Sequence, residues 1–356
     1  MADRPTLILD VMGADLGIAE MVRGAAQACR AERQGGFHLV LVTAEPESTE
    51  RLVAAELAAA AAAAQCSFEL LPAAQKLPEH FDSPVEVYRD YPQCSIRVAM
   101  NRAKDAPSCA VISPGTTGLV MTSALFTLGR VKGIDRPPIG TPMLTRSKHL
   151  FFVDGGSNVD CRASHLYQFA VLAHLYIRTT QHIERPSIAL LSNGSEAYKG
   201  NAVVREAAEL LSQDKDLNFV GFIEGHTVFD GEIDIMVCDG FLGNIFLKMA
   251  EGLAEVIVGV MRDEIRRDLL AALAAKLIQR RAFRRIANRL DYTRFGGAPL
   301  LGLNGNVVIC HGRSPARAIG NALLMGRELA QSDIAAQVAQ YFETHAPIAR
   351  TGNGAK

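Results

Sequence analysis

Five short stretches concentrate the residues able to do chemistry. They are Asp10-Val-Met-Gly-Ala-Asp15, Ser113-Pro-Gly-Thr-Thr-Gly118, Asp154-Gly-Gly-Ser-Asn-Val-Asp160, Ser192-Asn-Gly-Ser-Glu196 and Asp239-Gly-Phe-Leu-Gly-Asn244. Each mixes glycine, which tolerates positive φ, with side chains that hydrogen-bond backbone groups. A single such loop shapes a turn. Five in succession point to one polar cleft rimmed by backbone N–H groups. Asp10 and Asp15 bracket a glycine turn around Gly13, and paired carboxylates can hold a metal. No histidine cluster accompanies them, so no metal is expected and the carboxylates are read as holding their loop. Asp154 and Asn158 read the same way, as loop-shaping residues first. The seven cysteines form no CxxC pair, which indicates neither a zinc site nor a disulfide framework. Buried free thiols in a reducing compartment are the expectation.

All five loops follow short apolar runs, and that placement defines the fold. Strands are expected at Thr6–Val11, Phe37–Thr43, Ser67–Leu71, Cys109–Ser113, Leu150–Asp154, Ser187–Ser192, Phe219–Phe222 and Ile235–Cys238. Helical periodicity lies between them, near 18–33, 49–65, 94–105, 118–130, 164–181, 200–213 and 243–262. The alternation predicts an α/β protein with a largely parallel sheet and helices on both faces. Ligands in such sheets collect where strand C-termini meet helix N-termini. The run Ala58–Ala64 reads as the body of a surface helix.

Composition narrows the function classes. The chain has 356 residues, with 37 Lys+Arg against 38 Asp+Glu, a net charge of −1 and 49% hydrophobic residues. It can bury a sizeable core, and it lacks the basic excess of a dedicated nucleic-acid binder. Residues 106–129 carry no charge, but Ser113-Pro-Gly-Thr-Thr-Gly118 interrupts them, so strand, loop and helix are expected rather than a span. The N-terminus offers no signal peptide. Residues 276–294 hold seven basic residues and one acid, a local charge of +6, which leaves −7 elsewhere. A basic amphipathic helical hairpin is expected over 263–294. Arg280, Arg281, Arg284 and Arg285 would form a surface for anionic lipid, an acidic partner or the other subunit. Residues 1–345 are expected to form a single domain, with a tail at 346–356.

Read in order, the motifs form a recognisable set. To the first, third and fifth loops add Gly133-Ile-Asp-Arg-Pro-Pro138, Lys199-Gly-Asn201, Val237–Lys248, Glu251-Gly252, Phe295–Leu303 and His311-Gly-Arg-Ser314. With these the chain resembles the PlsX family, the acyl-carrier-protein:phosphate acyltransferases of bacterial phospholipid synthesis, from Leu7 to about Leu324. The resemblance implies a three-layer α/β/α sandwich like that of isocitrate and isopropylmalate dehydrogenases, also seen in phosphotransacetylases. It implies a homodimer that passes a long-chain acyl group from acyl carrier protein to inorganic phosphate. The acyl phosphate product would feed a membrane glycerol-3-phosphate acyltransferase, and the protein would be cytoplasmic, touching the inner face of the membrane.

That chemistry needs no cofactor. A thioester is already activated and phosphate is itself a nucleophile, so the protein must position phosphate and stabilise an oxyanion. On this reading Lys199 stabilises phosphate or the oxyanion, Asn244 positions substrate, and His311 donates to the leaving thiolate or to phosphate. Ser113, Gly115, Thr116, Thr117, Asn158, Asn201, Asp239 and Lys248 would complete the phosphate and substrate contacts. Three loops depart from the family pattern. Ser113-Pro-Gly-Thr-Thr-Gly-Leu119 stands for Ser-Ala-Gly-Asn-Thr-Gly-Ala, so Pro114 removes one backbone N–H. Ala14 follows Gly13 where two glycines are usual, and positive φ there would be strained. Ser192-Asn-Gly-Ser-Glu196 replaces Asn-Ile-Gly-Glu-Glu. Two alternatives fit the same residues: a phosphotransacetylase-like enzyme using coenzyme A thioesters, and a non-catalytic scaffold binding carrier protein or membrane.

Overall fold

Apolar runs rich in Val, Ile and Leu, bounded by turn residues, form strands that are buried on both faces where helices cover them. The computed structural model describes residues 4–33, 35–78, 80–104, 106, 108–267 and 295–345. All eight expected strands form: β1 Thr6–Asp10, β2 His38–Thr43, β3 Ser67–Pro72, β4 Cys109–Ser113, β6 His149–Val153, β7 Ser187–Ser192, β8 Asn218–Glu224 and β9 Ile235–Val237. Three more were not anticipated: β5 Gly140–Leu144, β10 Ala298–Leu300 and β11 Asn306–Ile309.

The expected α/β architecture is present, but its strands divide between two sheets. One has the order β10-β11-β4-β1-β2-β3 and the other β5-β6-β9-β7-β8. Pairing is parallel except at β10–β11 and β5–β6, which are the edge pairs. Both edge strands carry a proline, Pro142 and Pro299. Proline has no N–H to give an outer neighbour, so these strands end their sheets. An isolated bridge from Ile139 to Leu300 joins the two edges.

The helices are α1 Ile18–Ala31, α2 Pro46–Leu52, α3 Ala58–Ala63, α4 Pro84–Asp90, α5 Ser95–Lys104, α6 Thr117–Thr127, α7 Ala163–Gln181, α8 Ala202–Gln213, α9 Gly240–Arg267, α10 Ala316–Ala330 and α11 Ile334–Thr344. Helix α7 is buried from Ala163 to Ile177, and Tyr176 stacks on Phe151 of β6 at 4.5 Å. A helix apolar all round belongs inside a core. Helices α1 and α10 touch where a methyl on Gly24 would fall 2.6 Å from Ile319 Cβ. A π-helical turn at Val53–Leu57 joins α2 to α3. The alanine run is not purely surface, because Ala60 and Ala61 are buried. Six cysteines are buried, Cys161 is half-buried, and all seven are free thiols. No helix among the described residues is long and apolar enough to cross a membrane. The four arginines 280, 281, 284 and 285 lie outside the described residues, as does the 346–356 tail.

Candidate active site

Residues that follow β4, β6, β9 and β11, strands of both sheets, line one cleft. On the first sheet, three loops lock together through buried polar groups. Asp10 Oδ1 accepts from Met12 N–H at 3.1 Å, and its Oδ2 accepts from Ser113 Oγ at 2.8 Å. Ser113 Oγ in turn accepts from Gly115 N–H at 3.1 Å. A methyl on Gly13 would fall 2.7 Å from Gly115 N, so the two loops meet backbone to backbone. The Asp15 N–H donates to Gly312 O at 2.9 Å, and the Asp15 carboxylate lies against Gly312. Burial raises the Asp10 carboxyl above its ordinary value, only partly offset by its hydrogen bonds. Ala14 is absent from the positive-φ residues, so the strain expected there does not arise.

On the second sheet the organiser is Asp154, which is fully buried. Its carboxylate accepts from the N–H groups of Ile139 at 3.0 Å, Gly156 at 3.2 Å, Ser157 at 3.1 Å and Asn158 at 2.8 Å. The Ser157 hydroxyl and Asn158 Nδ2 also donate to it. The start of α9 rests directly on this loop, where methyls on Gly243 and Gly240 would fall 2.0 Å from Asp154 O and 2.7 Å from Asn158 N. Asp239 fixes the same helix end, accepting from Leu242 N–H at 2.8 Å. Asn244 is thereby set against Gly156, whose φ of +129° and missing side chain make the space.

Between the sheets lies a cavity of about 900 Å³. Thr117, Gly155, Gly156, Asn244, Lys248, His311 and Arg313 give it polar walls. Its remaining lining is largely apolar, from β5, from α9 and from Phe295 to Ala298. Nδ1 of His311 accepts from Arg313 N–H at 3.1 Å, which leaves the ring hydrogen on Nε2 as a donor. Lys248 pairs with Glu251 at 2.7 Å, so this wall carries two opposed charges.

Other expected residues have different surroundings. Lys199 is not among the cavity-lining residues, and its Nζ sits 5.5 Å from the Tyr198 ring centroid. Asn201 caps α8, accepting from Val204 N–H at 2.9 Å. Ser113 and Asn158 are buried with their donors spent on protein groups, Ser113 on Asp10 and Asn158 on Asp154 and Pro137 O. Thr116 is the N-cap position of α6, and Gly115 N–H is already bonded to Ser113. The apolar lining was not anticipated, although Leu247, Ala250, Ala254 and Ile257 recur at helical spacing. Among the described residues, Asp214, Asp216 and His345 have metal-like spacing, but they line no part of the cavity. There Asp214 accepts from the hydroxyls of Tyr167 and Tyr341, and His345 pairs with Asp216 at 3.1 Å, tying down the end of α11.

The chain is similar to known proteins in sequence and in fold. The family model described as "Fatty acid synthesis protein" matches residues 6–337. A protein of Trichlorobacter lovleyi named phosphate acyltransferase is 38% identical over 332 residues, 93% of each chain. One of the same name from Syntrophotalea carbinolica is 45% identical over 247 residues, covering 69% of this chain and 71% of its own. Among solved structures, a phosphotransacetylase from Streptococcus pyogenes superposes with a TM-score of 0.60 at 18% identity, covering 92% of this chain and 94% of its own. The EutD phosphotransacetylase from Staphylococcus aureus gives 0.55 at 16% identity with the same coverage. These structural likenesses concern the fold. The sequence match spans nearly the whole chain and both walls of the cleft, and on that ground the chain belongs to the fatty acid synthesis protein family, the PlsX family.

Proposed function

We propose that the protein transfers a long-chain acyl group from acyl carrier protein to inorganic phosphate. The observation that carries this reading is the meeting of an apolar cavity with a polar end that holds Thr117, Asn244 and the Nε2–H of His311. A phosphate oxygen attacks the thioester carbonyl carbon, and a C–O bond forms as the C–S bond breaks. Asn244 Nδ2 stabilises the oxyanion, beside Gly155 and Gly156, whose missing side chains leave room for it. His311 Nε2–H faces the departing sulfur, and the acid hydrogen of the phosphate ends on the carrier thiol. Lys199, on the neighbouring strand exit, supplies positive charge toward the incoming phosphate. The residues present require no metal for this sequence of events.

The test is release of free carrier thiol from a purified long-chain acyl carrier protein, with metal chelated. Release should rise with phosphate, and acyl phosphate should accumulate in equal amount. Release that ignores phosphate would reject the reading, and binding without turnover would favour a scaffold. The phosphotransacetylase likeness of the fold supports a second reading, with coenzyme A thioesters as donors. Paired rates with the two donors decide between them.

The protein acts as a homodimer in this reading. Supporting it, α9 turns an apolar stripe to solvent on the side away from the cavity, with Phe241 60%, Met249 70% and Val256 60% exposed. The charge of +6 over 276–294 supports contact with an anionic membrane surface or with acidic acyl carrier protein. In this reading the enzyme works in the cytoplasm at the inner face of the membrane, where a glycerol-3-phosphate acyltransferase would consume the acyl phosphate.

A further inference from the structure

We propose that the apolar trough along α9 measures acyl-chain length, with Ala250, Ala254 and Ile257 as successive marks. This rests on the acyltransferase reading and adds to it where the chain lies and what stops it. Asn244 stands at the polar end of the cavity, against Gly156. From there one face of α9 follows the cavity outward, through Leu247, Ala250, Ala254 and Ile257. The facing walls are Pro142–Leu144 of β5 and the segment from Phe295 to Ala298. Lys248 and Glu251 share this stretch of helix, but their 2.7 Å pairing leaves it without net charge.

Helical rise converts these positions into lengths. At about 1.5 Å per residue, Ala250, Ala254 and Ile257 lie roughly 9, 15 and 20 Å beyond Asn244. A fully extended chain of tetrahedral bonds advances roughly 1.2 Å per bond. The three marks therefore correspond to about 8, about 12 and about 16 carbons from a carbonyl held at Asn244. The first two marks are alanines, which let a chain pass. The third is an isoleucine, large enough to meet its end. A cavity of about 900 Å³ has room for such a chain. One methylene more or less in an apolar site changes specificity by about tenfold or more.

The experiment uses the full chain and a series of acyl carrier proteins loaded with chains from about 4 to about 18 carbons. The readout is the ratio of kcat/KM for each donor to that for the shortest, at fixed phosphate. With Ala254→Phe, donors beyond about 12 carbons should fall at least tenfold relative to the shortest donor. With Ala250→Phe the break should move to about 8 carbons, and Ile257→Ala should extend it past the wild-type limit. Ala250→Val and Ala254→Val carry the same comparison if the phenylalanine variants do not fold. Length profiles that match the wild type, or that fall uniformly, overturn the ruler. A wild-type chain inactive with every donor strikes the acyltransferase reading instead.

Discussion

Asn244 and His311 are delivered to the cavity by different sheets, so each is a separate test of the chemistry. Removing one preorganised oxyanion donor costs about 10²–10³ in kcat. Asn244→Ala should lose that much, while Lys199→Ala, outside the cavity lining, should lose less than about tenfold. Steady-state rates at saturating phosphate check both, and a larger loss at Lys199 would move the phosphate site toward the β7 exit. A different residue governs acid stability. Burial in α7 lowers His174 from 6.5 to about 4, and its Nδ1 has no hydrogen-bond partner. Between those values the unfolded chain binds a proton that the folded chain refuses. Stability should therefore fall as pH drops from 6.5 toward 4, by up to about 3 kcal/mol. Urea unfolding at both ends of that window should show the slope, and His174→Gln should flatten it. The loop-shaping part of Asp154 was legible in sequence because turn residues act locally, whereas Asn201 and Asp239, read there as substrate contacts, accept from N–H groups at the starts of α8 and α9. The ring tautomer of His311 was not legible, since it depends on one backbone N–H two residues on.

Helix α9 does three jobs at the scale of an element. Its first turn seats Asn244, one face lines the trough, and the opposite face stays apolar and exposed. Sequence periodicity located this helix, but a helix apolar on two sides shows only a weak stripe. Its two roles emerge only once β5 and the segment near Phe295 are seen against it. If the outer stripe is the self-association surface, Met249→Glu with Val256→Glu should shift the protein to monomer. Sedimentation velocity reads that outcome directly, and an unchanged dimer would place the interface elsewhere. Two of the three strands missed in sequence have a common physical cause. β5 and β10 contain Pro142 and Pro299, and a strand with proline is tolerated only where one edge faces no partner. Proline reads as a break when the sheet order is unknown. These two strands are where the sheets end and the cavity begins.

For the whole molecule, charge predicts behaviour that no single side chain does. A near-neutral total hides +6 over 276–294 and −7 elsewhere. Binding to liposomes should require anionic lipid and weaken with salt, since exposed charges are screened within about 8 Å at physiological ionic strength. Neutralising Arg280, Arg281, Arg284 and Arg285 should lower co-sedimentation, and undiminished binding would discard the basic-segment mechanism. The order of strands has a different consequence, for biosynthesis. β4, the fully buried run Cys109-Ala-Val-Ile-Ser113, pairs with β1 on one side and with β11 on the other. β11 begins only at Asn306, after every strand of the second sheet has been made. At ribosomal rates β4 waits roughly 10 to 40 s with one apolar edge open. A stalled or shortened chain would keep that edge open for good, as a template for pairing with its own copies.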